Sequence, residues 1–327
     1  LRTVLQALSD RLHSLEVRWS APSTNAELLA APAPPVGQFD VLLVEHQSAG
    51  RGRRGRAWRS ALGGSVCLSV ATSFDPTPRD LPALTLVIGL SVRAALQRCG
   101  ASGVGLKWPN DLVLMQPDAT GQRTLAKLGG ILVELRAEAA GPAHVVIGLG
   151  LNLRLDANAR SEIAATGNIA AALADCGIDP QQRNALIGYV LESMVRSVGQ
   201  FAAQGFEPFR AAWAEADALR GESVRVSGAG AERLGVAAGI DAHGSLQLLT
   251  AEGGMWEPGN GAVGYYVRDR SMPLDNMANT TRIFLGTQIA CAQCHDHPYE
   301  DWKRMDFLEM ASAASGSDAS AQITVKG

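Results

Sequence analysis

The sequence predicts an α+β protein in three parts. A mixed β-sheet with helices occupies about residues 1–219, a small β unit about 220–253, and a tail of different character 254–327. Three observations carry this division. Strand-length apolar runs and one long apolar helix alternate through the first part. Short strands divided by Gly turns make up the second, which suits a small β-barrel. Composition then changes near residue 250, where an Ala/Leu/Val-rich chain gives way to a segment holding most of its Tyr and Met.

The elements follow in order. Residues 3–14 read as a short helix, and SLEVRWS (14–20) alternates like a strand. Thr24 to Glu27 fits a capping box and opens a short helix that ends in the Pro-rich loop 31–37. DVLLVEH (40–46) is a strand, SAGRGRRGRAWRS (48–60) a loop without apolar period, and GSVCLSVATSF (64–74) a buried strand. LPALTLVIGLSVRAALQRCG (81–100) is a helix closed by Gly. GVGLKW (103–108), DLVLM (111–115), LGGILVELRAE (128–138) and AHVVIGLGLNLRL (143–155) are strands, with a polar turn at 116–124. Asp179-Pro180 starts a helix running to about 203, and a second helix spans about 206–219.

The length of 327 residues suits about two domains of ~150 residues each. With 29 basic against 32 acidic residues, the chain is not built mainly to coat nucleic acid, although a local basic patch is compatible with that balance. No apolar run reaches ~18 residues, so no membrane helix is expected. The N-terminus shows no secretory pattern, and it begins with Leu rather than Met. The five cysteines are odd in number and mostly isolated, so they do not read as a disulfide framework.

Four segments carry candidate chemistry. RGRRGRAWR (51–59) packs five basic residues into nine positions. Its glycines let backbone fold closely round a ligand, and its arginines offer forks for phosphate or carboxylate. Trp58 offers a flat face for a ring. The ordinary alternative is a solvated basic loop, or a nucleic-acid patch of the Arg/Gly kind. The P-loop pattern is absent. In Lys107-Trp108-Pro109-Asn110-Asp111, Asp111 suits magnesium or a ribose hydroxyl, while Asn-Asp alone is good turn chemistry. Lys127-Leu128-Gly129-Gly130 brings a charge and bare backbone to one strand start, although an exposed lysine before a strand would read the same way. Asn152 ends an apolar strand and must be hydrogen-bonded if buried.

Taken together and in order, with Ser23-Thr24-Asn25 ahead of them, GRGRRGR, KWPND, KLGGILVE and GLN resemble the catalytic core of the biotin protein ligase family. The likeness covers about residues 1–250. Lipoate ligases share the fold but lack this combination. The resemblance implies a class II synthetase-like catalytic domain followed by a small SH3-like barrel. It implies ATP-dependent formation of biotinyl-5′-AMP, then transfer of biotin to a lysine of a biotin carboxyl carrier protein. By the same resemblance Lys127 and Arg53 are catalytic. Ser23, Thr24, Asn25, Gln47, Arg51, Gly52, Arg53 and Lys127 bind biotin. Arg56, Trp58, Asn110, Asp111 and Asn152 line the adenylate side. Magnesium is expected to come with ATP, without a protein cage. A cytoplasmic setting and compatibility with a homodimer follow. The 22 residues before Ser23 are too few for the winged helix of repressor members, so no DNA role is expected.

The tail departs from that family near 249–255, before the last barrel strand. It resembles a bacterial family of unknown function associated with cytochrome-c-like domains, and is expected to be mostly helical or disordered. A joined reading frame is preferred over a natural fusion. Cys291-Ala-Gln-Cys294-His295 is a haem c signature, with His297, Met305 or Met310 as a further axial ligand and zinc as an alternative. Haem attachment needs an exported chain, so haem is not expected here. A haem-binding electron-transfer module and an Arg/Gly-loop nucleic-acid binder remain the competing readings.

Overall fold

The computed structural model describes residues 8–58, 62–117, 121, 123–136, 142–165, 169–227 and 233–250. The expectations for 254–327, the Cys291–His295 motif among them, lie outside the described residues.

A seven-stranded mixed sheet organises the chain. Its strands are β1 (Leu12–Ala21), β2 (Phe39–Gln47), β3 (Ser65–Phe74), β4 (Val104–Lys107), β5 (Asp111–Pro117), β6 (Arg123–Arg136) and β7 (Ala143–Asn152). They lie in the order β1-β2-β3-β7-β6-β5-β4. Only the β1–β2 pair is parallel. The helices are α1 (Thr24–Ala30), α2 (Leu84–Arg98), α3 (Ala157–Ala164), α4 (Arg183–Gln204) and α5 (Arg210–Ala216).

Strand alternation divides the sheet into two unlike faces. Val66, Leu68 and Val70 of β3 and Val145, Ile147, Leu149 and Leu151 of β7 enter the main core. There α2 lies on the sheet and α4 packs on α2 through Leu186, Val190, Leu191, Met194 and Phe201. The opposite face holds a small cluster of Ala21, Leu42, Val44 and Cys67 under Leu28 of α1. It also carries Ser69, Gly148, Gly150 and Asn152, which form the floor of the candidate site. The sheet therefore gives most of its large apolar residues to one side, and on the other sets small and polar residues beside a minor apolar cluster.

Several boundaries differ from expectation. Residues 8–11 form a turn, with Leu12 N–H donating to Leu8 O at 3.0 Å, and a strand starts at Leu12 where the helix 3–14 was expected to continue. Pairing of β1 with β2 from Leu12↔Phe39 decides this. The cap of α1 is Ser23 rather than Thr24, its hydroxyl accepting from Ala26 N–H at 3.4 Å. Thr24 is unavailable because its N–H and hydroxyl both donate to Gln47 Oε1, at 2.8 and 3.1 Å. Glu27 pairs with Arg18 instead of closing a capping box. Strand β6 begins at Arg123, five residues before the expected start. The helix expected over 206–219 ends at Ala216. Helix α3 was not anticipated, because ANARSEIA has no apolar stripe. Its signal is local, with Asp156 accepting from Ala159 N–H at 2.7 Å.

The second unit forms a three-stranded antiparallel sheet among the described residues, β8 (Ser223–Val226), β9 (Arg233–Ile240) and β10 (Leu246–Leu249). Its β9–β10 turn docks on the first unit. Trp108 Nε1 donates to Gly244 O at 2.9 Å, and His243 Nδ1 lies 3.0 Å from Asp80 Oδ1. Gly244 sits at φ +83°, and a β-carbon there would lie 2.7 Å from Leu86 Cδ1, so only glycine suits this turn.

At the far end of the polar face, His144 of β7 lies opposite Arg136 of β6, beneath the Pro-rich loop. With Ala33–Val36 and Ser73 they line a cavity of about 250 Å³. His144 is 2% exposed and neither ring nitrogen has a partner among the described residues. Burial, then the Arg136 charge, holds its imidazole below the ordinary value, with Asp40 acting the other way. The fold thus favours the neutral ring, while the unfolded chain takes up a proton below about pH 6.5. This contribution to stability is complete above that pH and declines as pH falls through and below it. The urea midpoint of the wild-type chain should therefore drop more between pH 7.5 and 5.5 than that of His144→Phe. Equal drops would refute the buried neutral ring.

Candidate active site

The site begins where β7 lacks side chains. A β-carbon on Gly148 would overlap the Asn25 amide, and one on Gly150 would lie 2.5 Å from Trp58 Cε2. The two glycines let the first turn of α1 and the indole of Trp58 lie directly on the strand backbone. Gly130 of β6 pairs with Gly150, and Leu132 with Gly148.

The α1 end of this floor is a closed polar network. Thr24 and Asn25 are 3% and 4% exposed. Ser69 Oγ lies 2.6 Å from Thr24 Oγ1 and 2.5 Å from Asn25 Oδ1. Asn25 Nδ2 donates to Leu132 O at 3.1 Å and to Glu134 Oε2 at 2.8 Å. Ser23, Thr24, Asn25 and Gln47 are thus brought together, with Ser23 spent on the helix cap.

The basic loop after β2 folds as a narrow hairpin. Trp58 N–H donates to Gly50 O at 2.8 Å, Gly52 N–H to Arg56 O at 2.7 Å, and Arg51 bridges Ala57. Arg54, at φ +58°, turns the tip and donates to Ser227 O at 3.2 Å. Arg51 reaches back to the floor, its Nη2 3.1 Å from Glu134 Oε1. Arg53 Nη1 lies 3.5 Å from Asn110 Oδ1. Burial first, then the Arg54 charge, lowers the Arg53 pKa, opposed by Asp111. The side chain still meets water, so it stays charged at neutral pH. Arg56 has no side-chain hydrogen bond or ion pair among the described residues. Trp58 Nε1 is buried without a partner among them.

The other side of the floor holds the lysine. KWPND forms the turn from β4 to β5, as its turn chemistry allows, and places Asp111 first in β5. Lys127 Nζ lies 2.7 Å from Asp111 Oδ1. Leu128 bulges out of the β5–β6 ladder, so Lys127 and Gly130 share the polar face. Lys127 backbone is clamped by the segment after α3: its N–H donates to Ile169 O at 2.7 Å, and its O accepts from Ala171 N–H at 2.8 Å. Asn152 completes the clamp, donating to Ala171 O at 3.0 Å and Lys127 O at 3.3 Å. Its amide nitrogen braces the lysine strand. Asn110 is also partly structural, donating to Ile131 O at 2.9 Å.

The two glycines after Lys127 have different reasons. A β-carbon on Gly129 would lie 2.5 Å from Leu151 Cδ2 and 2.6 Å from Gly150 O, so Gly129 is required by close strand packing. At Gly130 a β-carbon would lie 3.5 Å from Lys127 Nζ, an ordinary contact. Chemically, Arg53 and Lys127 flank the Asn110–Asp111 turn and present two cations beside bare backbone. This arrangement suits an anion. Ser69 and Glu134 also belong to the site: Ser69 lies outside the four motifs, and Glu134, the last residue of KLGGILVE, carried no assigned role there. The Ser69 hydroxyl inside the apolar run SVCLSVATSF was the available signal.

Comparison with known proteins agrees with this geometry. The model of the "Biotin/lipoate A/B protein ligase family" matches residues 22–152, a span enclosing the site from Ser23 to Asn152 but not its braces at Ile169, Ala171 and Ser227. A second model, "Protein of unknown function (DUF1549)", matches 254–318. The "Biotin--[acetyl-CoA-carboxylase] ligase" of Mycobacterium tuberculosis is 34% identical over 255 residues, covering 76% of this chain and 88% of that protein. The "Bifunctional ligase/repressor BirA" of Escherichia coli is 33% identical over 209 residues, or 64% of this chain, and the match spans 61% of its length. Among solved structures, the biotin protein ligase from Aquifex aeolicus in complex with biotin and ATP aligns at TM-score 0.59 and 26% identity. It covers 74% of this chain and 94% of that one. On these matches the chain belongs to the biotin protein ligase family.

Proposed function

We propose that this chain joins biotin to a lysine of a biotin carboxyl carrier protein in two steps, through biotinyl-5′-AMP. In the first step a biotin carboxylate oxygen attacks the α-phosphorus of ATP and pyrophosphate leaves. In the second, the carrier lysine attacks the acyl carbon, forms an amide and expels AMP with loss of a proton. The observation that carries this reading is the pair of cations, Lys127 and Arg53, flanking the Asn110–Asp111 turn beside a glycine floor. The ligands named for the Aquifex aeolicus relative, biotin and ATP, support it.

Within this reading, Ser23, Thr24, Asn25 and Gln47 receive the biotin ring, with Ser69 holding Asn25 and Thr24 in place. Lys127 bridges carboxylate and α-phosphate, trading Asp111 for the substrate anions. Arg53 stabilises the same charge, and Arg51 and Gly52 belong to the covering loop. Arg56, Trp58, Asn110, Asp111 and Asn152 line the adenylate side, Asn152 acting through the Lys127 backbone. Phosphoryl transfer of this kind is mainly positioning and charge stabilisation, which suits a glycine floor with two cations beside it. Magnesium would enter with the nucleotide phosphates. The division at about 219 and 253 into catalytic, barrel and tail segments is part of the same proposal.

Biotin-dependent exchange of labelled pyrophosphate into ATP tests the reading. Lys127→Ala is expected to lower the exchange rate ~10²–10³-fold, because it removes a charge contact made mainly in the transition state. Near wild-type exchange in that variant would overturn the assignment of Lys127. Absence of biotin-dependent exchange in the wild-type chain would overturn the ligase reading.

A further inference from the structure

Glu134 has no role in the scheme above, yet it touches both halves of the site. Its Oε2 accepts from Asn25 Nδ2 at 2.8 Å, and its Oε1 lies 3.1 Å from Arg51 Nη2. Arg51 Nη2 also lies 3.3 Å from Oε2. The carboxylate is 23% exposed, between the buried floor and the open loop. The Asn25 amide is otherwise committed to Leu132 O and Ser69, so Glu134 takes its one remaining donor. Among the described residues no other side chain ties Arg51 down. Arg54 anchors the loop tip elsewhere, on the backbone of Ser227.

We propose that Glu134 is a positioning residue that seats the arginine–glycine loop on the biotin floor, one carboxylate serving Asn25 and Arg51 together. A charged acceptor shared by an amide and a guanidinium makes each contact depend on the other. A shift of Asn25 when ligand fills the floor is thereby felt by the loop that carries Arg53. The role in turnover rests on the ligase reading, whereas the seating of the loop is a property of the free protein.

Two measurements separate these. Glu134→Gln keeps an oxygen for Asn25 and removes the charge that holds Arg51. In the ligand-free protein, trypsin should then cut after Arg53, Arg54 and Arg56 about three to ten times faster, with an unchanged unfolding midpoint. Arg51→Gln should give the same increase, and the double variant no more than either single one. In pyrophosphate exchange, Glu134→Gln should raise the KM for biotin by a similar factor with a smaller change in kcat. Wild-type cutting rates in Glu134→Gln, or additive effects in the double variant, would overturn the proposal. If wild-type exchange is absent, the ligase reading fails and the trypsin comparison still decides the seat. If exchange is present and the KM for biotin is unmoved, the coupling to turnover fails.

Discussion

The constraint on which the site depends is the missing side chain at Gly148 and Gly150 of β7. Any β-carbon at these positions would occupy the volume of the Asn25 amide or the Trp58 indole. Because the strand surface is bare, a short helix and a loop tryptophan can both rest on backbone. The same strand gives its other face to the core through Val145, Ile147, Leu149 and Leu151. One ten-residue strand therefore lines the core on one side and the candidate site on the other, as alternation permits.

Around this floor, the cations are divided between a strand and a hairpin. Lys127 is fixed by strand pairing, by the segment at 169–171 and by Asn152. The arginines sit on a hairpin held to the body through Arg51, Arg53 and Arg54. The ion pairs of the free protein, Lys127 with Asp111 and Arg51 with Glu134, keep these charges partnered without satisfying them as fully as a phosphate would.

Much of this was legible in the sequence, and for physical reasons. Strands β2, β3 and β7 are apolar runs long enough to be read directly, and the long helix at 84–98 closes near a glycine. The motif residues from Ser23 to Asn152 do converge on one face. Other features depended on tertiary pairing. The start of β1 at Leu12 follows from its partner β2, and the cap moves to Ser23 because Gln47, distant in sequence, takes Thr24. The bulge at Leu128, which turns Lys127 to the polar face, has no local signature. Nor has the bracing role of Asn152, whose partners come from β6 and from the segment after a helix without an apolar stripe. Glu134 closes the KLGGILVE motif without an assigned role, and only the fold brings it to Asn25 and Arg51.

The site depends on the bare floor of β7, and Gly150→Ala tests that dependence most directly. The added methyl must displace the Trp58 indole, which sits on the hairpin after β2 and not in the sheet itself. Biotin-dependent pyrophosphate exchange, measured beside the unfolding midpoint, should fall by about tenfold or more while the midpoint stays close to wild type. Exchange at the wild-type rate in a folded Gly150→Ala chain would contradict the account.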